Sequence, residues 1–216
     1  MDVAHALAQE GIAEGTLVWA ERQEQGRGRI GRVWESPEGG IYCSVIVRPQ
    51  RPVAEIPQLS LLMGLSAAEA IRECAMVSPR VRWPNDLLIS GKKAAGILTE
   101  SKDGTVVIGL GINVSTAPED LPDTATSLAA AGEKNLDLFH LTARLYRRFF
   151  RWYDLWSGAG FPPVHEALRP HMALFGEVVH IRAGSGAFEG TAADLDDQGR
   201  LLVRLDSGLM RAFDMG

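Results

Sequence analysis

Cysteine is scarce in this chain of 216 residues, which contains only Cys43 and Cys74. They form no C-x-x-C pair, so the sequence offers no disulfide framework, and two free thiols are typical of a reducing compartment. None of the five histidines stands at a metal-ligand spacing from another. We also find no signal peptide and no apolar run long enough to span a bilayer. We therefore expect a cytoplasmic protein with no membrane segment and no metal bound by its own side chains.

A strong excess of one charge is also missing. The 22 Lys and Arg residues and 27 Asp and Glu residues give a formal net charge of −5. This balance argues against a surface that coats nucleic acid, so any basic site must be local. The apolar fraction of 46% and the charged fraction of 23% are ordinary for a soluble globular protein. The length allows one sizeable core with a small appended domain.

Hydrophobic spacing predicts helices over residues 2–10, from Pro57 to Cys74, and over 137–156. Between them, alternation and turn residues predict the strands "TLVWAERQ", "GGIYCSVIVRP", "RVRWPNDLLI", "KAAGILTE" and "TVVIGLGINV". From Gly176 onward, turn pairs at short intervals predict a small β-barrel. With the boundary placed near 165–172, we expect a core domain over 1–168 and a second domain over 169–216.

The stretch "QEQGRGRIGRVWESPEGG" contains the glycine pattern G-x-G-x-x-G at Gly26, Gly28 and Gly31. A dinucleotide-binding loop needs a helix directly after these glycines, whereas proline and paired glycines follow here, which argues against that interpretation. A flexible, solvated basic loop is the plain alternative. In an extended chain, however, Arg27 and Arg29 project to the same side, and the glycines let the backbone approach a ligand. We therefore favour an anion clamp.

A second polar cluster occurs in "RWPNDLLISGKKAAGIL". Asp86 alone is explained equally by a turn or a cap, and Lys92 with Lys93 by a solvated hairpin tip. Gly96 lies inside an apolar strand, however, and a strand glycine can mark a ligand lying against the backbone. The same reasoning applies to the glycines of "VIGLGIN", which Asn113 follows with an amide that both donates and accepts.

Three segments, "GRGRIGRVWESPEGGIY", "RWPNDLLISGKKAAGIL" and "VIGLGIN", resemble the biotin–protein ligases in order and spacing. The resemblance covers about residues 2–130, and the C-terminal part looks like that family's SH3-like domain. It implies an α+β fold, a core similar to class II aminoacyl-tRNA synthetases, with a mixed β-sheet, flanking helices and a C-terminal SH3-like barrel. It also implies an ATP-dependent ligase. Biotin and Mg-ATP would give biotinyl-5′-AMP, and the biotinyl group would pass to a lysine of the biotin carboxyl carrier protein of acetyl-CoA carboxylase.

The resemblance implies roles for particular residues. Expected catalytic residues are Lys93, Arg27, Arg29 and Asp86, of which Asp86 would orient the acceptor lysine or the Mg²⁺ ion. Expected biotin-binding residues are Gln23, Arg27, Gly28, Arg29, Lys93, Gly96 and Leu98. Expected ATP-binding residues are Arg29, Trp34, Asn85, Lys93 and Asn113. The arginine-rich loop would order over the adenylate and shield this mixed anhydride from water.

The sequence departs from the family pattern in two places. The Ser-Thr pair expected just before the first helix is absent because the sequence begins at Met1, and Ile30 stands where the loop often has arginine. Since no residues precede the core, we expect no DNA-binding domain and no DNA partner. A lipoate–protein ligase and a non-catalytic biotin-binding module remain the alternatives. The oligomeric state stays open, with a homodimer among the options, and the acceptor is expected to dock a β-hairpin near the loop.

Overall fold

The computed structural model describes residues 1–133, 135–183 and 186–214. The first part of the chain is built on a six-stranded sheet with helices on both faces, and the last part on a four-stranded sheet. In chain order the elements are α1 (Asp2–Gln9), β1 (Leu17–Ala20), β2 (Ile41–Val47), α2 (Gln58–Cys74), β3 (Arg80–Arg82), β4 (Asp86–Ile89), β5 (Lys92–Lys102), β6 (Thr105–Ile112), α3 (Leu138–Ala159), α4 (Pro162–Leu168), β7 (Val178–Ala183), β8 (Gly186–Leu195), β9 (Leu201–Leu205) and β10 (Met210–Phe213).

The large sheet has the strand order β1-β2-β6-β5-β4-β3, and neighbouring strands pair antiparallel. Parallel bridges join Val81 to Met172 and Lys93 to Ala125, which makes the sheet mixed, as expected. The expected hairpin turn at Ser90 and Gly91 is present, with φ of 50° and 80°. Positive φ at both central turn residues matches the twist of a two-residue hairpin.

The two faces of the large sheet have different coverings. One face carries Ile108, Leu110 and Ile112 of β6 and is buried in the main core with α2 and α3. The opposite face carries Val107, which packs with Ala4 of α1 and Ile46 of β2 in a separate small cluster. The α1 helix covers only the part of this second face around Val107. The part that carries Gly109 and Gly111 is covered instead by the loop after β1.

The two long helices confirm the periodicity seen in the sequence. The α2 helix buries most of its length between the sheet and α3. The α3 helix presents its apolar stripe to the same core; its buried residues are Leu141, Thr142, Leu145, Phe149, Trp152, Tyr153 and Trp156. Its start is fixed by Asp137, whose carboxylate accepts from the backbone N–H of His140, and Gly160 with φ of 77° follows its end.

The structure differs from the predicted elements in two places. A helix that the sequence did not predict, α4, follows α3 and has both of its prolines in the first turn. Proline is well suited to the first helical positions, where its missing N–H has no partner to lose. Strand β1 covers only Leu17–Ala20 instead of the full "TLVWAERQ", because the chain leaves the sheet at Glu21.

The C-terminal sheet has the order β10-β9-β8-β7, all antiparallel, in agreement with the expected SH3-like unit. Its inward side chains, including Leu195, Val203 and Phe213, join the main core rather than a core of their own. The boundary at residues 168 and 169 therefore stays a prediction. Within the described residues, no helix combines the length and the apolar character needed to cross a membrane.

Candidate functional site

The site begins with the register of β5 against β6. Gly96 pairs with Gly111, and Leu98 pairs with Gly109, so all four lie on the face of the sheet that α1 leaves uncovered. Three missing side chains on two adjacent strands leave a depression in the sheet. A cavity of about 290 Å³ lies above it, bounded by these glycines and the loop after β1. We call Gly96, Gly109 and Gly111 the glycine floor.

Side chains from two other segments touch this floor. A methyl group added to Gly111 would lie 2.5 Å from Trp34 Nε1, and one added to Gly109 would lie 2.7 Å from the sulfur of Met1. The Nε1–H of Trp34 is buried and has no hydrogen-bond partner among the described residues. Burying an unpaired donor costs about 1–3 kcal/mol, so an acceptor on a molecule bound in the cavity would be favourable there.

Residues 23–36, which we call the arginine loop, fold back on themselves over the cavity. The backbone N–H of Trp34 donates to the carbonyl of Gly26 at 3.0 Å, and that of Gly28 donates to the carbonyl of Arg32 at 2.7 Å. A side chain at position 26 would meet the Trp34 carbonyl oxygen at 2.0 Å, so Gly26 is required for this closure. The loop tip carries Ile30, with φ of 56° and 90% of its surface exposed.

Arg27 and Arg29 both line the cavity, but the chain is not extended through both of them as expected. The extended conformation ends at Gly28, and Arg29–Gly31 form a 3₁₀ turn. The two guanidinium groups consequently have different partners. Arg27 pairs with Asp2 at 2.7 Å and with Glu100 at 3.4 Å, whereas Arg29 donates to the Asn85 side-chain oxygen at 3.3 Å.

The pairing of Arg27 ties the loop to two other elements. Asp2 opens α1 and Glu100 lies on β5, and the imidazole of His5 is 2.7 Å from the same Glu100 oxygen that Arg27 contacts. We call Asp2, Arg27 and Glu100 the loop latch. Neither acid was a candidate from the sequence, because nothing in the local pattern shows that α1 and the far part of β5 meet the loop.

Arg29, Asp86 and Lys93 form the charged end of the cavity. The Lys93 ammonium lies 2.6 Å from a carboxylate oxygen of Asp86 and 5.3 Å from the centre of the Trp34 ring. Burial lowers the pKa of Arg29, and the charge of Asp86 opposes that shift. Arginine remains cationic at neutral pH despite such a shift. The ammonium of Lys93 and the guanidinium of Arg29 thus both lie near the Asp86 carboxylate at this end of the cavity, where cations suit an anionic ligand.

The remaining candidates from the sequence divide into two groups. Gln23, Gly28, Asn85 and Leu98 line the cavity together with the residues described above. Asn113 does not line it: its amide donates to the carbonyl of Thr126 at 3.1 Å.

The Asn113–Thr126 bond fixes the segment around Thr126 beside Lys93. The Lys93 backbone N–H donates to the carbonyl of Thr124, and the Thr126 N–H donates to the carbonyl of Lys93. The Asn113 amide is already bonded to the Thr126 carbonyl. Asn113 would therefore affect a bound nucleotide by positioning the segment around Thr126.

Met1, Asp2, Cys43 and Ser44 also line the cavity, although the sequence did not mark them. Ser44 lies in β2 opposite Gly109 and so shares the open face of the sheet, whereas Cys43 pairs with Leu110 and belongs to the main core. Burial raises the pKa of Cys43 to about 12, so its thiol is neutral at physiological pH. A neutral thiol is a poor nucleophile, so Cys43 is not a reactive group of the site.

Comparison with known proteins shows which family the chain belongs to. The profile of the biotin/lipoate A/B protein ligase family matches residues 3–115, and that of the biotin protein ligase C-terminal domain matches residues 174–216. The chain is 38% identical to the bifunctional ligase/repressor BirA of Bacillus subtilis over 97% of this chain and 68% of that protein. The chain belongs to the biotin/lipoate A/B protein ligase family.

Two further relatives agree with that assignment. The chain is 37% identical to the biotin–[acetyl-CoA-carboxylase] ligase of Mycobacterium tuberculosis over 88% of this chain and 73% of that protein. The solved structure of biotin protein ligase from Aquifex aeolicus in complex with biotin and ATP is similar with a TM-score of 0.86 and 29% identity, covering 97% of this chain and 90% of that one. The family and the fold expected from the three sequence motifs are confirmed.

The loop latch generates a prediction for this ligase-family fold. Trypsin cleaves after arginine, and the loop contains Arg27, Arg29 and Arg32. The rate of tryptic cleavage at these residues therefore measures how often the loop opens. We expect Glu100→Gln to accelerate cleavage at these sites about two- to five-fold, the effect of losing a partly exposed ion pair. Fragments are identified by mass spectrometry during limited digestion of the ligand-free protein.

The matched control for the latch is Glu189→Gln, which removes an exposed pair with His180 in the C-terminal sheet. That variant should be digested in the arginine loop at the wild-type rate. Equal rates for both variants would mean that the latch does not hold the loop.

Proposed function

We propose that this chain is an ATP-dependent biotin–protein ligase. It activates biotin as biotinyl-5′-AMP and transfers the biotinyl group to a lysine of a biotin carboxyl carrier protein of an acetyl-CoA carboxylase. The observation that carries the proposal is the glycine floor with Arg29 and Lys93 at one end. This arrangement places an apolar surface, suited to a ring system, beside two cations, which are suited to a carboxylate and a phosphate. The relatives are biotin ligases, and one of them binds biotin and ATP. They confirm the biotin ligase activity expected from the sequence over its lipoate and non-catalytic alternatives.

The first half-reaction brings anions together. A carboxylate oxygen of biotin forms a bond to the α-phosphorus of ATP while the bond from that phosphorus to the pyrophosphate breaks. Charge grows on the phosphoryl oxygens in the transition state, so fixed cations beside them lower the barrier. Lys93 and Arg29 supply those cations in our proposal. Asp86 fixes the ammonium of Lys93 at 2.6 Å before the substrates arrive.

We place the biotin ring system against the glycine floor. There, Gly96 lets it approach the backbone, and Leu98, Gln23 and Gly28, which also line the cavity, would contact it. Pockets for small molecules usually measure about 300–1,000 Å³, and the cavity of about 290 Å³ lies at the lower limit. Trp34 occupies part of the floor, so the larger adenylate requires the indole and the arginine loop to move outward. Contacts of Trp34, Asn85 and Asn113 with the nucleotide remain predictions.

Magnesium enters this proposal with ATP. No group of three histidine, cysteine, aspartate or glutamate side chains that could hold a metal ion occurs in the described part of the chain. Asp86 and Asp2 are the carboxylates that line the cavity. A Mg²⁺ ion here would take most of its ligands from phosphate oxygens and water, as this hard cation commonly does, and Asp86 would be the carboxylate available to it beside Lys93.

The second half-reaction needs room for a protein. A groove of about 940 Å³ lies on the outer side of the arginine loop, lined by Ile30, Val33, Val53 and residues 98–101 of β5. The pairing of β4 with β5 ends at Gly96, and no described strand pairs with residues 98–102 on that side. An acceptor hairpin can add to this edge through its backbone and bring its lysine towards the adenylate. Its amine then attacks the biotinyl carbonyl and releases AMP.

Cytoplasmic location is part of the proposal. Both cysteines, Cys43 and Cys74, are unpaired thiols in the structure. Free thiols persist in reducing compartments, where the carboxylase acceptors of such a ligase would have to meet it.

The central prediction is biotin-dependent exchange of radiolabel between pyrophosphate and ATP. Formation of the adenylate is reversible, so labelled pyrophosphate enters ATP only if biotin is activated on the enzyme. We expect exchange with biotin and none above background with lipoate. Exchange with lipoate alone would overturn the biotin assignment, and biotin binding without exchange would point to a binding module.

A second prediction separates Lys93 from the lysine beside it. Lys93→Met removes the cation that contacts Asp86, and we expect it to lower the exchange rate by about 100-fold or more, as when one transition-state donor is lost. Lys92→Met is the matched control, because Lys92 is the adjacent lysine at the exposed end of β5. That control should retain the wild-type rate. A similar loss in both variants would assign the effect to the hairpin and not to Lys93.

A third prediction concerns retention of the intermediate. Arg29→Gly removes the charged contact between the loop and Asn85, and we expect about ten-fold more free biotinyl-AMP in the filtrate after incubation with biotin and ATP. Arg22→Gly, at an exposed arginine before the loop that does not line the cavity, serves as the control and should release no more than the wild type. Equal release by all three proteins would contradict a role for Arg29 in closing the site.

A further inference from the structure

A turn of the C-terminal sheet reaches the strand segment that leads into the site. Residues 196–200 join β8 to β9, and the indole Nε1 of Trp83 donates to the carbonyl of Gly199 in this turn at 3.0 Å. Beside it, the amide of Gln58 donates to the carbonyl of Asp197 at 3.2 Å. The turn is therefore bound both to α2 and to the residue that precedes Pro84, Asn85 and Asp86.

The turn is built to hold its shape. The carboxylate of Asp196 accepts from the backbone N–H groups of Gln198 and Arg200, at 3.0 and 2.9 Å, and from Arg200 Nε at 2.7 Å. Burial raises the pKa of Asp196, but the hydrogen bonds from Arg200 and Gln198 outweigh it and lower the pKa overall. Gly199 has φ of 77°, a conformation that glycine adopts without strain. The carbonyl that faces Trp83 is thus fixed by the turn itself.

A short, stiff path connects Trp83 to the charged end of the cavity. The ring of Pro84 fixes φ at that residue, which removes one soft dihedral from the path. Asn85 then makes a pair of bonds with Ile97 of β5: its carbonyl accepts from the Ile97 N–H, and its amide donates to the Ile97 carbonyl, both at 2.8 Å. Its side-chain oxygen accepts from Arg29, and the next residue, Asp86, contacts Lys93.

We propose that Trp83 is a positioning residue for adenylation: its indole, held by Gly199 of the C-terminal turn, fixes Asn85 and Asp86 in register with Arg29 and Lys93. The inference rests on the proposed ligase function and gives the C-terminal sheet a defined part in its first half-reaction. Trp83 itself does not line the cavity, so it acts through the two residues that do. The plain alternative is that this hydrogen bond only attaches the C-terminal sheet to the core.

The test compares two substitutions that each remove one indole N–H. Trp83→Phe loses the bond to Gly199, and Trp152→Phe loses a bond of 2.9 Å to Glu69 between α3 and α2, away from the cavity. The readout is the single-turnover rate constant of biotinyl-AMP formation at saturating biotin and ATP. A folding defect lowers the amplitude of this reaction but leaves its rate constant unchanged. We expect Trp83→Phe to lower the rate constant about three- to ten-fold and Trp152→Phe to leave it unchanged.

A second variant disrupts the same contact by changing the turn instead of the indole. Asp196→Ala should slow adenylation because the Gly199 carbonyl loses its fixed position. Combined with Trp83→Phe it should add little, because both changes break one contact. Equal rate constants for Trp83→Phe and Trp152→Phe, or fully multiplicative effects in the double variant, would overturn the inference. Failure of the proposed function is distinguishable, since the wild type would then form no biotinyl-AMP.

Discussion

The register of β5 against β6 is the constraint on which the site depends. Pairing Gly96 with Gly111 and Leu98 with Gly109 places the glycines on the open face and Ile97 with Leu110 in the core. A slip by one residue would turn the apolar side chains outward and the glycines inward, so the hydrophobic core fixes the register very strongly. The packing that stabilises the fold therefore also positions the floor of the cavity. Every other group of the site is placed relative to that floor by a loop, a hairpin or a helix end.

Electrostatics in the site is organised by pairs that exist before any substrate is present. Arg27 is neutralised by Asp2 and Glu100, and Lys93 by Asp86, while Arg29 is held by an amide oxygen. A cation that is already held in place loses little side-chain entropy when an anion binds. More of the electrostatic interaction energy can therefore stabilise the transition state. In the proposed adenylation the two arginines of the loop then have separable roles: Arg27 would position the loop, and Arg29 with Lys93 would face the reacting phosphate.

Local sequence patterns predicted the elements well. Helical spacing located α2 and α3, and turn pairs located the hairpin at Ser90, because these signals lie within a few residues of chain. The strand glycines marked the cavity for the same reason. What the sequence did not show arises from contacts between distant segments: Glu100 meeting Arg27, Trp34 covering Gly111, and the C-terminal turn reaching Trp83. Spacing alone carries no information about which distant residues meet, and the divergence of the two arginines followed from a turn that no glycine pattern specified.

The position of Trp34 sets an order of events. Its indole lies on Gly111 with a buried N–H that has no partner in the described part of the chain, and the cavity beside it is at the small end of the range for ligand sites. A ligand that supplies a hydrogen-bond acceptor to the indole offsets the free-energy cost of burying that unpaired donor. A ligand too large for the cavity must also displace the ring. In the proposed reaction the adenylate, which is larger than biotin, is the ligand that would have to displace the ring. The backbone N–H of Trp34 donates to the Gly26 carbonyl, so a displacement of Trp34 that includes its backbone would also open this closure of the arginine loop. In the proposed reaction, formation of the adenylate would thus be accompanied by rearrangement of the loop.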